Sequence, residues 1–233
     1  MVIFARRAAD ERKMTCDHTG PHSGVSNYLR ETAELRLTLV CDQCGAERSE
    51  YGRIDYRPHA RRFSAELAEM TARELGLDEP QVARVRFATL ICDVGRDKIP
   101  PEILNKRGPL TQEEWVEMRR QPTLGAAMLS DAMFDDVREW ILTRRERPDG
   151  RGYPLGLSGE AIPLEARILA VVDAYVAMIS NRPYRPAKDR AYALRELLEN
   201  AGSQFDTAVV QAFARARRGD EHEHELELEL ASA

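Results

Sequence analysis

Between Ala60 and Glu221 the 233-residue chain contains no histidine; its five histidines stand at positions 18, 22, 59, 222 and 224. A metal centre that needs several imidazoles is therefore excluded from the middle of the chain. Long apolar runs are missing too, since no stretch of about 18 apolar residues occurs. The opening MVIFARRAADERK has too short an apolar stretch, on the wrong side of its arginines, for a secretory signal. These absences lead us to expect a soluble, cytoplasmic protein with no membrane partner. Cysteines are few: Cys16, Cys41 and Cys44 crowd the first fifth of the chain and Cys92 stands alone. That pattern excludes a disulfide framework and fits a reducing compartment. The formal charge of -5 reflects the tail, where Asp220 and Glu221, Glu223, Glu225, Glu227 and Glu229 contribute six negative charges; without them the balance is +1. A general nucleic-acid binder is excluded by that near-neutral balance.

What is present divides the chain into four parts. Residues 1–14 form a charged lead-in, within which Met14 is an alternative start. Residues 15–57 change character: LRLTLVCDQCGAERSEYGRIDY holds a β-leaning apolar run, a Cys-x-x-Cys turn ending in Gly45 and a more polar extended stretch, which reads as a hairpin. The residue before Pro58 is disfavoured in helix, which places a boundary there. Residues 58–218 then carry helical periodicity. A first helix runs from His59 to a stop at Gly76, and a second, more uniformly apolar one spans QVARVRFATLICDVG. Thr111 and Glu114 form a capping-box start for a helix expected to reach Asp131. Shorter helices follow over 134–145, 187–200 and 206–218. Pro163 opens a helix from Leu164 to Ile179 with one acid, Asp173, inside an apolar run, and this helix should lie at the core's centre. The segment 219–233 is acidic and of low complexity, and reads as a disordered tail in which His222 and His224 are solvated.

In the small module, Cys16 and His18 form one pair of soft or borderline ligands and Cys41 and Cys44 a second, with His22 a rival to His18. A Cys-x-x-Cys followed by glycine after a short strand is the knuckle of zinc ribbons. A structural, non-catalytic zinc is expected, because about 40 residues of this composition have too little apolar content to fold alone.

Three stretches carry a further signal in order: CDVGRDKIPPEILNKRGPLTQEEW, ERPDGRGYPLGLSGEAIPLEARILAVVDAY and NRPYRPAKDRAYALRELLENAGSQFDTAVV. With the helix from His59 they resemble the HD-GYP domain family over residues 58–217. The fold implied is mostly α, an HD-domain-like helical bundle, here preceded by the small β-hairpin, zinc-ribbon-like module. The activity implied by the resemblance is a phosphodiesterase for cyclic di-GMP, in which two or three iron-class ions activate water. Such chemistry needs imidazoles and carboxylates converging from several helices.

This chain departs from that pattern. The family's His-Asp doublet falls on Cys92 and Asp93, the lysine three residues later on Arg96, and the upstream histidine on His59. A histidine before a proline falls on Gln121, and the paired histidines before the Gly-Tyr-Pro motif fall on Arg144 and Arg145. Asp173 is kept, while a second aspartate becomes Val176. A guanidinium has no lone pair to give a metal, so catalytic iron or manganese is expected to be lost. Three readings follow. Arg144 and Arg145 pair with Asp93 and Asp173 and fill the old site; or Arg96, Arg144 and Arg145 form a metal-free pocket for cyclic di-GMP or another phosphorylated ligand; or His59, Cys92, Asp93 and Asp173 retain a metal-dependent hydrolysis. Gly152, Tyr153 and Pro154 make a tight loop that suits either loop architecture or contact with a ligand or signalling partner.

Overall fold

The computed structural model describes residues 22–29, 34–41, 47–53, 58–106, 108–130, 132–181 and 186–218; for the three strands and for residues 58–61 and 218 only the backbone course is described. Strands β1 (His22–Leu29), β2 (Glu34–Cys41) and β3 (Glu47–Arg53) pair antiparallel in that order. The register sets His22 opposite Cys41, and Val40 opposite Glu47. Of the expected zinc ligands, Cys16, His18 and Cys44 lie outside the described residues, as does the tail, while Cys41 ends β2.

Nine helices follow among the described residues. α1 (Pro58–Glu74) and α2 (Glu79–Ile91) form a hairpin. Its turn is made by Gly76 at φ 81° with Leu77 N–H donating to Ala72 O, a left-handed stop that glycine adopts without a Cβ clash. Asp78 then caps α2 through Gln81 N–H at 2.8 Å, and Gln81 returns the bond. A 3₁₀ turn (Val94–Lys98) leads to α3 (Pro101–Leu104), α4 (Gln112–Met118) and α5 (Gln121–Ala127). The capping box at Thr111 and Glu114 forms as expected. The single helix expected from Thr111 to Asp131 is two: the chain turns at Arg119 and Arg120, and Pro122, which has no N–H for an interior helical bond, sits in the first turn of α5.

α6 (Asp135–Thr143) and α7 (Leu164–Ile179) flank the loop that holds the Gly-Tyr-Pro motif, and α8 (Arg190–Glu199) and α9 (Thr207–Arg218) close the bundle. α7 is the centre of the core. Its Ile168, Val171, Val172 and Tyr175 are fully buried and pack with Val85, Val137, Ile141, Leu197 and Phe213. Each such aliphatic side chain contributes about 1.5–3 kcal/mol by leaving water. No described helix is long and apolar enough to cross a membrane.

Candidate functional site

Asp93 follows the end of α2, where Cys92 is the last-turn residue, and heads the 3₁₀ turn. That turn is pressed against α5 at Gly95. A Cβ there would lie 2.2 Å from Gln121 O and 2.6 Å from Gly125 N, backbone atoms that cannot yield. The glycine contact brings the start of α5 up to Asp93, and buried Gln121 donates from Nε2 to Asp93 Oδ1 at 2.9 Å.

Arg144 closes the C-terminus of α6 and its side chain is 1% exposed. Its Nη2 donates to Asp93 Oδ1 at 2.9 Å, and its Nη1 lies 3.4 Å from Asp173 Oδ2 on α7. Arg145 Nη2 reaches the same Asp173 oxygen at 2.8 Å, and Arg96 Nη1 stands 3.4 Å from Asp93 Oδ2. Among the described residues, three guanidiniums thus face these two carboxylates, one more cation than anion. At an effective dielectric suited to partly buried sites, unit charges about 4 Å apart attract by about 4 kcal/mol, which offsets a desolvation cost of several kcal/mol per ion. Cys92 is buried. His59 is the second residue of α1, and its side chain lies outside the described residues.

The metal cluster implied by the family pattern does not fit these residues. Asp93 Oδ1 already accepts from Arg144 and Gln121, and Asp173 Oδ2 faces both arginines. Among the described residues no group of three or more His, Cys, Asp or Glu side chains could hold a metal ion.

The next residue along the chain, Glu146, does something sequence reasoning missed. It is 3% exposed, and its carboxylate accepts backbone N–H groups from Leu155 at 2.6 Å, Gly156 at 3.2 Å and Leu157 at 3.0 Å. A carboxylate directly before a glycine-rich loop was the available signal. Gly152 passes so close to this residue that a Cβ would stand 2.4 Å from Glu146 Cα and 2.5 Å from Arg147 N. Tyr153 N–H donates to Arg145 O at 3.2 Å, and its half-buried ring lies 5.6 Å from the Arg119 guanidinium carbon. Pro154, joined to Tyr153 by a cis peptide, is exposed, as is Leu155. The structure thus brings Asp93, Arg96, Arg144, Arg145 and Asp173 together, with the Tyr153 loop tied to Arg145 by a main-chain bond.

Residues 39–209 match the model of the HD domain family. The chain is 43% identical over 154 residues to the cyclic di-GMP phosphodiesterase response regulator RpfG of Xanthomonas campestris, covering 65% of this chain and 41% of that protein. It is 36% identical over 173 residues to a cyclic di-GMP phosphodiesterase of Thermotoga maritima, covering 73% and 47% respectively. The chain spans less than half the length of these curated relatives. Bd1817, an HDG"Y"P protein from Bdellovibrio bacteriovorus, shares the fold with a TM-score of 0.56 at 19% identity, over 69% of this chain and 52% of that one.

Proposed function

Because this chain belongs to the HD-domain family, in its HD-GYP branch, we propose that it acts in cyclic-dinucleotide signalling as a binder that does not hydrolyse its ligand. The observation that carries this reading is the Arg144 guanidinium seated between Asp93 and Asp173. Hydrolysis of a phosphodiester by metal-bound water needs lone pairs converging on cations, and here cationic side chains meet the carboxylates instead. The excess positive charge, with Arg96 46% and Arg145 36% exposed, suits the oxygens of a phosphate, which a planar guanidinium grips in fork geometry. Cyclic di-GMP is the ligand that the relatives' names favour, and a signalling protein that reads the occupied site is the partner class.

In the N-terminal module we assign a structural zinc to Cys16, Cys41 and Cys44 with a histidine. His18, paired in sequence with Cys16, is the fourth ligand, with His22 its rival. This zinc, fully coordinated by protein, has no catalytic part.

A second reading has a specific observation behind it: relatives at 43% and 36% identity are named cyclic di-GMP phosphodiesterases. It assigns His59, Cys92, Asp93 and Asp173 to an altered iron or manganese site. Titrating the purified protein with cyclic di-GMP, with and without added iron or manganese, separates the two. We expect saturable binding with no linear or mononucleotide product under either condition. Metal-dependent turnover would establish the second reading.

A further inference from the structure

We infer that Arg144 is a resident cation that holds Asp93 and Asp173 together where related proteins would use metal ions, so that the helical domain folds without a metal in its core. The inference concerns folding, and it stands whether or not the protein takes a cyclic dinucleotide.

Asp93 comes from the end of α2 and Asp173 from the middle of α7, so packing those helices against α6 draws two carboxylates toward one place. Left to themselves, like charges in such a setting oppose the packing. The guanidinium of Arg144 offers one terminal nitrogen to each, at 2.9 and 3.4 Å, from a side chain that is 1% exposed. The remaining donor is telling: Arg144 Nε is buried with no hydrogen-bond partner among the described residues. A buried N–H without an acceptor is costly, and the contacts of the same guanidinium with the two aspartates offset that cost. Arg145 and Gln121 add a second donor to Asp173 and Asp93 respectively. A metal ion bridging Asp93 Oδ1 and Asp173 Oδ2 would have to displace the Arg144 guanidinium that lies between them.

Thermal unfolding of the full chain, followed by helical circular dichroism, tests this. The wild-type midpoint is expected to be unmoved by millimolar manganese. R144M, which keeps much of the volume but not the charge, should lower the midpoint by about 10 °C, because it leaves two partly buried carboxylates without the cation between them. R144A should recover part of its loss in millimolar guanidinium but not in sodium chloride of equal ionic strength. Should R144M fail to fold, D93N/D173N/R144M, with all three charges removed, is expected to regain a cooperative transition. The inference is overturned if manganese stabilises the wild type by several degrees, if guanidinium does no better than sodium, or if the charge-free variant is no more stable than R144M.

Discussion

Two neighbouring regions neutralise carboxylates in opposite ways, a buried one in the first and two partly buried ones in the second, and they do so from consecutive residues. In the loop that follows α6, Glu146 is satisfied by three backbone N–H groups, neutral donors fixed by the loop's own course. In the cluster between α2, α6 and α7, Asp93 and Asp173 are met by Arg96, Arg144 and Arg145. The first arrangement is closed: a carboxylate saturated by main-chain dipoles shapes a loop and offers nothing to a ligand. The second sets Arg96 and Arg145, partly exposed, beside the aspartates, which is where the proposed anion would sit.

The largest effect should come from Gly152→Ala in the closed region. Its Cβ would overlap backbone atoms of Glu146 and Arg147 that cannot move independently, and a loss of about 3–5 kcal/mol or failure to fold is expected in denaturant titrations. Glu146→Ala strands three loop N–H groups and should cost about 3 kcal/mol, with faster proteolytic cutting near Leu155. An unchanged cutting rate would mean that the carboxylate does not shape the loop. In the charged region, Arg96→Gln and Arg145→Gln should leave the unfolding midpoint nearly unchanged, because both side chains are partly exposed. Each is expected to weaken cyclic di-GMP binding by about tenfold in calorimetry. Equal binding by the double variant would remove the arginines from the ligand site.

A smaller effect, away from both regions, calibrates the others. Burial pushes the Asp206 carboxyl up, but the Val209 N–H and the Arg167 guanidinium outweigh it and hold the carboxyl below its ordinary value. A depressed carboxylate stabilises the fold above its unfolded-state pKa, and that contribution fades as the pH falls through the folded value. Asp206→Ala should therefore cost about 1–2 kcal/mol at neutral pH, through the lost cap of α9 and the ion pair. The gap from wild type should narrow below about pH 4. A gap independent of pH would assign the loss to packing alone.

Local signals in the sequence carried the outlines of the helices well. Pro163 does precede a helix that runs from Leu164 to Ile179, and Thr111 with Glu114 makes the expected box, because caps depend on residues a few positions apart. The break at Arg119 and Arg120 escaped although it was marked: the apolar spacing has a six-residue gap from Met118 to Leu124, and Pro122 stands within it. The site was legible as residue types, in the missing histidines and the arginines at their positions. Its assembly was not, because it depends on contacts distant in sequence: Gly95 against Gln121, Gln121 against Asp93, and Arg144 spanning residues 51 and 29 positions away. Glu146 was passed over because a charged residue beside a loop reads as solvated until the fold buries it.

The most direct test is a crystal of the full chain grown with manganese and measured with anomalous scattering. Our account predicts continuous density for the Arg144 guanidinium between Asp93 and Asp173 and no anomalous peak there. A pair of anomalous peaks between those carboxylates, with Arg144 displaced, would contradict it.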